Sequence, residues 1–451
     1  MDKIKKVLIA NRGEIALRII RSCKDLHIPT VAVFSTADEK SSHVAFADES
    51  ICIGPPSPKE SYLKIPSIIT AAEISGANAI HPGYGFLAEN EEFARICKES
   101  NIIFIGPSAD IIALMGNKTE ARKTMKKVGV PVVPGSAGDL TSFEELSSIV
   151  KKIKYPVIIK ATSGGGGKGM RIVKKEEYLK NSFEMAQAEA KNAFNDPSVY
   201  VEKYIENPHH IEVQMLGDHY GNVLHFGERD CSIQRKHQKI IEESPSPILD
   251  DEKRKALFDA AIKACRAVNY NSAGTIEFIV DNDLNFYFME MNTRIQVEHT
   301  VSEMRSGIDL VLRQIRISDE ERLNFRQKDL KIKGHAIEVR INAEDPDNNF
   351  APSPGKITNL NIPGGFGIRV DSFIYPDYII SPYYDSMVAK LIVYAETRFM
   401  AINRLNRALD EFYVDGITTN IKFLKEIINT DAFRKGEYNT HFVEEFLSSK
   451  K

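Results

Sequence analysis

The sequence predicts a protein of mixed α/β and α+β class with three domains, and three observations support this fold class. The chain has 451 residues, which exceeds the size at which a single hydrophobic core usually stops growing. Strand and helix patterns alternate over the first quarter of the chain, which is typical of a parallel sheet covered by helices. Beyond residue 198, most apolar segments instead have the length and composition of β-strands.

The first predicted domain covers residues 1–114. Residues 6–11 predict a strand, after which Ile15, Ile19 and Cys23 recur at helical spacing on one face. Further strands are predicted at residues 30–34, 79–80 and 102–105. Because helical patterns separate these strands, we expect the sheet to be parallel.

The second predicted domain covers residues 115–330. A helical stretch follows Lys118 and ends before Pro131 and Pro134, which favour extended backbone. Strands at residues 155–160 and 170–173 flank a glycine run and predict a hairpin with a long glycine tip. The other elements predicted here are strands at 211–216, 275–280 and 286–291 and a helix at about 251–268.

The third predicted domain covers residues 331–451 and is expected to pack on the second. It begins with a strand at residues 335–341, passes through a segment rich in proline and glycine, and ends in helices from residue 399 onward. This combination predicts a mixed domain.

Composition excludes several classes of function. The formal net charge of −3 argues against bulk attraction to nucleic acid or to an anionic membrane. No apolar stretch approaches the length of a membrane-spanning helix, so no membrane association is expected. The five cysteines are far apart and form no CxxC pair, which indicates neither a disulfide framework nor a structural zinc site. We therefore expect a cytoplasmic location.

The most unusual segment is the glycine run. It contains Gly164, Gly165, Gly166, Gly167, Lys168 and Gly169. Successive glycines let backbone N–H groups close on phosphate oxygens, so the run predicts a phosphate-binding loop, with a merely flexible hairpin tip as the alternative. Lys168 is not followed by Ser or Thr and a strand follows the run, so it matches neither a Walker A loop nor a dinucleotide-binding turn. Lys160 and Lys118 could each contact phosphate, or be ordinary surface lysines.

Two acidic residues lie inside apolar strand patterns. Glu277 and Glu290 each need a partner if they are buried, because an isolated buried carboxylate costs several kcal/mol. Magnesium suits them, since carboxylate oxygens and ATP phosphates can complete its coordination shell, and Asn292 could add a further oxygen. A buried Arg–Glu pair is the alternative.

A third group of polar residues follows directly. In a strand, alternation would place Arg294, Gln296 and Glu298 on one face. A cation, an amide and a carboxylate at one place suit a small oxyanion held beside a base. The alternative is the ordinary polar face of an edge strand.

Six segments together resemble biotin carboxylase, the ATP-grasp component of acetyl-CoA carboxylase and of related biotin-dependent carboxylases. They are ANRGEIALRI (10–19), HPGYGFLAEN (81–90), GGGGKGM (164–170), ERDCSIQRKHQK (228–239), EMNTRIQVEH (290–299) and RINAEDP (340–346). The resemblance extends through nearly the whole chain. It implies a three-domain ATP-grasp architecture in which the glycine hairpin belongs to a lid at about residues 132–203.

The resemblance also implies roles for individual residues. ATP would be held by Lys118, Lys160, the glycine run, Glu202, Lys203, His210, Gln234 and His237. Mg²⁺ or Mn²⁺ would be bound by Glu277 and Glu290 with Asn292. Bicarbonate would be bound by Lys239, Arg294, Gln296, Val297 and Glu298, with Glu298 as the base, and Arg340 would stabilise the biotin enolate.

The implied reaction is ATP- and bicarbonate-dependent carboxylation of biotin through carboxyphosphate. This is the first half-reaction of acetyl-CoA carboxylase, in fatty acid biosynthesis, or alternatively of a two-subunit pyruvate or other acyl-CoA carboxylase. No biotinyl-lysine motif of the Ala-Met-Lys-Met kind follows, so we expect a separate biotin carboxyl carrier protein and carboxyltransferase, and a homodimer. Two rivals are a different ATP-grasp ligase, such as a carbamoyl phosphate ligase, and a nucleotide-sensing subunit; the segment from Arg294 to Glu298 together with Arg340 favours carboxylation.

Overall fold

The computed structural model of the protein describes residues 3–136, 138–162, 170–194 and 196–450. Its first part is a parallel α/β unit. Its elements are β1 (Val7–Ile9), α1 (Gly13–Asp25), β2 (Thr30–Ser35), α2 (Ser42–Phe46), β3 (Glu49–Gly54), α3 (Ile65–Ser75), β4 (Ala79–His81), α4 (Glu91–Glu99), β5 (Ile103–Phe104) and α5 (Ala109–Gly116). The five strands are parallel in the order β3-β2-β1-β4-β5, so the predicted parallel sheet is confirmed.

Helix α1 shows why this unit folds as the sequence indicates. Ile15, Ile19 and Cys23 are all buried, and they pack in one core with residues of β1. Strand β3 was not predicted from sequence. It lies at the edge of the sheet, and its first two residues are exposed, so its apolar alternation is weak.

A smaller unit follows and contains the predicted hairpin. Its elements are α6 (Lys118–Lys127), α7 (Phe143–Ile153), β6 (Val157–Ala161), β7 (Met170–Val173), α8 (Leu179–Phe194) and β8 (Val199–Lys203). β6 pairs antiparallel with β7 and with β8, which confirms the two predicted hairpin strands. The glycine tip lies outside the described residues.

The rest of the chain is organised around one large sheet. Its elements are β9 (His209–Gly217), β10 (Val223–Arg235), β11 (Gln238–Ser244), α9 (Asp251–Ala267), β12 (Ala273–Val280), β13 (Phe286–Asn292), α10 (His299–Ser306), α11 (Leu310–Ser318), β14 (His335–Asn342), β15 (Glu344–Asp345), β16 (Ala351–Pro352), β17 (Gly355–Lys356), β18 (Asn359–Asn361), β19 (Ile368–Ser372), β20 (Ile379–Ile380), β21 (Met387–Ala395), α12 (Arg398–Glu411), β22 (Tyr413–Asp415), α13 (Ile421–Ile428), α14 (Asp431–Lys435) and α15 (Phe442–Ser449). Eight strands form an antiparallel sheet in the order β13-β12-β9-β10-β11-β14-β21-β19.

This sheet crosses the boundary predicted at residue 331. β11 pairs with β14, with Glu242 opposite Glu338, so strands from the second and third predicted domains are hydrogen-bonded neighbours. Strand pairing between distant segments leaves no local signal in the sequence, which is why two separate units were expected. A single sheet therefore supplies the framework on which side chains from both segments meet.

The strand predicted over residues 293–298 is wrong. The chain leaves the sheet after Asn292, residues 293–298 form a loop, and α10 begins at His299. Ile295 is fully buried and packs in the core that contains α1 and α11. The apolar–polar alternation does not reflect a strand with one exposed face, because Gln296 and Glu298 are buried as well.

Two expectations from composition can be compared with the fold. Within the described residues, every helix is too short or too polar to span a bilayer. All five cysteines lie in the described part of the chain and are free thiols.

Candidate active site

The site is built around the ammonium group of Lys239 on β11. Lys239 Nζ donates to Glu212 Oε2 at 2.7 Å, to Glu277 Oε1 at 3.1 Å and to Glu298 Oε1 at 2.6 Å. The three carboxylates are buried. Burial alone would lower the pKa of Lys239, but the three carboxylates outweigh it and hold the pKa well above its ordinary value. Lys239 therefore stays charged and joins β9, β11, β12 and the 293–298 loop.

A second cation, Arg229 on β10, also contacts this cluster and is fully buried. Its guanidinium donates to Glu212 Oε1 at 2.5 Å and to Gln296 Oε1 at 2.6 Å. The other acceptors are Gln214, Thr275 and Ser302. Sequence reasoning assigned Arg229 no role, although three successive charged residues, 228–230, within a strand were an available signal.

Glu298 is held between two cations. Its Oε1 accepts from Lys239, and its Oε2 accepts from Arg340 Nη2 at 3.0 Å. Arg340 is fixed in turn by Glu242, whose Oε1 accepts from Arg340 Nε at 2.7 Å. Burial would raise the pKa of Glu298, but the charges of Lys239, Arg340 and Arg229 outweigh it and hold the pKa well below its ordinary range. Glu298 is therefore ionised at neutral pH and able to accept a proton.

The predicted metal ligands lie on adjacent strands. Glu277 on β12 is directly opposite Glu290 on β13, and Asn292 Nδ2 donates to Glu277 Oε1 at 2.8 Å. Lys118 Nζ lies 3.5 Å from Glu290 Oε2. Burial, followed by the negative charge of Glu277, raises the pKa of Glu290, as expected for two like charges that share a site.

This donor set fits Mg²⁺. Two carboxylates and an amide oxygen are hard ligands, and a cation would relieve the repulsion between Glu277 and Glu290. The alternative of a buried Arg–Glu pair is not what the described residues show, because Glu277 contacts Lys239 and His210. Among the described residues, the groups of three side chains whose ligand atoms already lie close together are His210, Glu212 and Glu277, and Glu212, Cys231 and Glu298. We favour the oxygen set for Mg²⁺, because nitrogen and sulfur ligands suit softer metals.

Arg294 and Gln296 reach the same cluster by different routes. Gln296 Nε2 donates to Glu277 Oε1 at 2.7 Å, and Arg294 Nη2 donates to Asn292 Oδ1 at 2.9 Å. Arg294 and Gln296 thus lie beside Asn292 and Glu277, and they come from a loop and not from a strand face. Arg294 Nε also donates to Glu89 Oε2 at 2.8 Å. Glu89 was not predicted and belongs to the HPGYGFLAEN segment.

Several of the residues predicted to hold ATP also lie together. Lys160 Nζ donates to Glu202 Oε2 at 2.6 Å, and Glu202 also pairs with Arg122. Burial and the charges of Arg122 and Lys118 lower the pKa of Lys160 to about 8. This cluster lies where the small unit faces the large sheet, since Lys118 also contacts Glu290.

The remaining predicted ATP residues are more dispersed. His210 Nδ1 lies 2.9 Å from Gln234 Nε2, and His210 Nε2 lies 3.1 Å from Glu277 Oε2, so this pair adjoins the carboxylates. Lys203 Nζ donates to the carbonyl oxygens of residues 154 and 155, and His237 is exposed in the turn between β10 and β11. The glycines 164–167 and 169 and Lys168 lie outside the described residues.

Two cavities adjoin the cluster. One, of about 200 Å³, is lined by Glu89, Lys118, Glu290 and Asn292 among others. The other, of about 430 Å³, is lined by Arg340 and by further residues from each of the three predicted domains. None of its lining residues in the described part of the chain comes from the small hairpin unit. The site thus has separate spaces beside Glu290 and beside Arg340.

Known families match this chain over nearly its whole length. The model described as "Biotin carboxylase, N-terminal domain" matches residues 3–112, and "Biotin carboxylase C-terminal domain" matches residues 338–445. "Carbamoyl-phosphate synthase L chain, ATP binding domain" matches residues 117–326. The chain is 56% identical over 444 residues to biotin carboxylase 1 of Bacillus subtilis, which covers 98% of this chain and 99% of that protein.

This chain belongs to the biotin carboxylase family. A pyruvate carboxylase subunit of Methanothermobacter thermautotrophicus is also similar, at 52% identity over 98% of this chain and 90% of that protein. The solved structure of the Campylobacter jejuni biotin carboxylase complex with a β,γ-ATP ligand has a TM-score of 0.92 at 50% identity and covers 98% of this chain and 99% of its own. The biotin carboxylase domain dimer of Hydrogenobacter thermophilus 2-oxoglutarate carboxylase, in complex with MgADP, ADP and bicarbonate, has a TM-score of 0.91 at 50% identity, with 99% of both chains covered. These solved structures confirm the predicted three-part ATP-grasp architecture.

The buried position of Arg229 generates a stability prediction. Arg229→Met leaves Glu212 without one of its two cationic partners and leaves Gln296 without its donor, so we expect unfolding to become easier by about 3–5 kcal/mol. The measurement is urea unfolding followed by circular dichroism. Glu212→Gln added to Arg229→Met removes the uncompensated charge and should recover part of the loss. Equal stabilities of the single variant and the unmodified protein would contradict the prediction.

Proposed function

We propose that this chain uses ATP and bicarbonate to carboxylate biotin carried on a separate protein. The observation that carries the proposal is the ionised Glu298 held between Lys239 and Arg340, next to the facing carboxylates Glu277 and Glu290. A nucleotide-binding fold explains the metal carboxylates, but it does not by itself require a base between two cations. Membership of the biotin carboxylase family supports the same reaction.

ATP is bound between the small hairpin unit and the large sheet. Lys160 and Lys118 supply positive charge to the phosphates, Glu202 and Lys203 lie near the adenine, and His210 with Gln234 adjoins the carboxylates. The glycine run and His237 complete the proposed site, and the glycine run belongs to a lid at about residues 132–203. Glu277, Glu290 and Asn292 hold Mg²⁺ or Mn²⁺, which when bound neutralises charge on the ATP phosphates.

Bicarbonate is bound by Lys239, Arg294, Gln296 and the loop at Val297. Glu298 accepts the bicarbonate proton as a bicarbonate oxygen attacks the γ-phosphorus, which forms carboxyphosphate and releases ADP. The work of the protein at this step is positioning and electrostatic stabilisation, for which the cations of the site are already fixed by their carboxylate partners.

Biotin is carboxylated beside Arg340. Carboxyphosphate breaks down to CO₂ and phosphate, the phosphate takes the proton of the ureido nitrogen, and that nitrogen then attacks CO₂. The charge of Arg340 is directed at the enolate oxygen that develops on the ureido group. The lid keeps water away from carboxyphosphate, which hydrolyses readily.

The domain boundaries and partners follow from the same proposal. We place the domains at residues 1–114, 115–330 and 331–451, supported by family matches over residues 3–112, 117–326 and 338–445. The partners are a biotin carboxyl carrier protein, a separate carboxyltransferase and a second copy of this chain in the cytoplasm. Acetyl-CoA carboxylase is the proposed assembly. A two-subunit pyruvate carboxylase is the second candidate, because the similar proteins include one named as part of a pyruvate carboxylase.

The testing experiment measures phosphate release from ATP by the purified chain with Mg²⁺ and bicarbonate, with and without free biotin. We expect biotin to stimulate release and carboxybiotin to form from labelled bicarbonate. Bicarbonate-dependent hydrolysis that ignores biotin would indicate another carboxyphosphate-forming ligase. Nucleotide binding without hydrolysis would indicate a nucleotide-sensing role.

The proposed role of Arg340 predicts a separation of binding from transfer. Arg340→Ala should lower kcat for biotin carboxylation at least about 100-fold, because it removes the charge directed at the enolate oxygen. The Kd for MgADP, measured by calorimetry, should stay within about twofold of the unmodified protein. Turnover close to that of the unmodified protein would contradict this role.

The lowered pKa of Lys160 predicts a pH dependence. Lys160 is protonated below its pKa of about 8 in the free protein, and phosphate bound beside it would raise that pKa. MgADP binding is therefore expected to be strongest below pH 8, and its affinity should fall roughly tenfold between pH 7 and pH 9. MgADP affinity over this range measures the effect. Lys160→Arg stays charged and should lose the pH dependence; an equal fall in this variant would assign the effect to another group.

A further inference from the structure

Lys390 on β21 is a lysine that is fully buried inside the large sheet. Its neighbours along the strand, Ala389 and Leu391, are in the hydrophobic core, so the strand pleat turns Lys390 toward the opposite face. Across the sheet, Lys390 is directly opposite Arg340 on β14 and Asp371 on β19. It therefore lies on the same face as Arg340.

The ammonium group of Lys390 joins the active-site loop to the N-terminal unit. Lys390 Nζ donates to the carbonyl oxygen of Val297 at 2.8 Å and lies 3.2 Å from Glu14 Oε1. Val297 directly precedes Glu298, the proposed base. Glu14 is in the first turn of α1. One buried cation thus holds the backbone next to the base and a carboxylate from the other end of the chain.

Glu14 in turn holds the side chain of Tyr84. The Tyr84 hydroxyl donates to Glu14 Oε1, the same oxygen that faces Lys390. Burial, followed by the charge of Glu14, raises the pKa of Tyr84 well above its ordinary value, so its hydroxyl keeps the proton that it donates. Glu14, Tyr84, Val297 and Arg340 all line the cavity of about 430 Å³.

The cost of burial argues that this lysine has a specific task. Placing an ammonium group in the interior costs several kcal/mol, and partners must offset it. Burial would lower the pKa of Lys390, but Glu14, Glu338 and Asp371 outweigh burial and the nearby Arg369 and keep it charged. An apolar side chain could fill the space in the sheet, but it could not donate to the Val297 carbonyl.

We propose that Lys390 is a positioning residue for biotin carboxylation, which fixes the Val297 carbonyl beside Glu298 and, through Glu14, fixes Tyr84 in the wall of the cavity at Arg340. This inference rests on the proposed function. It concerns the geometry of the base and of the biotin-side cavity. Lys390 makes no proposed contact with ATP or metal, so its removal should affect the transfer of the carboxyl group and not the binding of nucleotide.

The test compares Lys390→Met with the double variant Glu14→Gln/Lys390→Met. Each is measured for the melting temperature, for the Kd of MgADP, and for kcat and the KM of free biotin. We expect Lys390→Met to lower kcat/KM for biotin at least about 30-fold and to leave the MgADP Kd within about twofold. The double variant also removes the charge of Glu14, the carboxylate that Lys390 contacts directly, so it should recover part of the loss in melting temperature but not kcat/KM.

A matched control is Arg398→Met. Arg398 lies at the start of α12, the helix that follows the strand of Lys390, and it pairs with buried Glu243 through two hydrogen bonds of 2.7 and 2.9 Å. Glu243 also contacts His335 and Tyr438. Its loss should lower the melting temperature and leave kcat/KM for biotin within about twofold. If Lys390→Met does not fold, the double variant Glu14→Gln/Lys390→Met is compared with Arg398→Met instead.

Two results would overturn the role of Lys390 alone. The first is full activity of Lys390→Met or of the double variant, and the second is a loss of activity matched by an equal loss of MgADP binding. Both require that the unmodified chain carboxylates biotin. An unmodified chain that binds MgADP but never carboxylates biotin overturns the proposed function, and the positioning role falls with it.

Discussion

The shared ammonium group of Lys239 is the interaction on which the site depends. Three carboxylates that are buried in one place would repel each other strongly in a medium of low effective dielectric constant. Lys239 contacts all three, and Arg229 and Arg340 each take one of the oxygens that remain. Because every charge in this cluster is compensated, it can stay ionised without water. That compensation holds Glu212, Glu277 and Glu298 in place before any substrate arrives.

The sheet makes this compensation possible. Neighbouring strands place Glu212, Glu277 and Glu290 side by side, and the pairing of β11 with β14 places Arg340 next to the cluster. The N-terminal unit then adds Glu89, which orients Arg294. No single segment contains a complete site, so the chemistry can appear only after the three parts of the chain have packed together.

The sequence predicted the fold class and part of the site for physical reasons that can be named. An acidic residue in an apolar strand requires a partner, and this rule found Glu277 and Glu290; the same signal in β9 and β11 would also have indicated Glu212 and Glu242. Glu89 and Lys390 could not be assigned from local patterns, because their roles depend on strand register and on contacts between distant segments. Arg340 was expected only from family resemblance, and the loop at 293–298 was mistaken for a strand.

The cations around Glu298 keep it ionised but also weaken it as a base, and a bound anion would offset this effect. The neighbouring cations hold the pKa of Glu298 well below its ordinary range, so Glu298 is a weak base when no other anion is bound nearby. A second anion at Lys239 and Arg294 would share the charge of Lys239 and repel Glu298, and both effects raise the pKa of Glu298. Its strength as a base therefore increases when an anionic substrate is present. The same cations that keep Glu298 ionised thus limit its strength as the proposed base until an anionic substrate binds beside it.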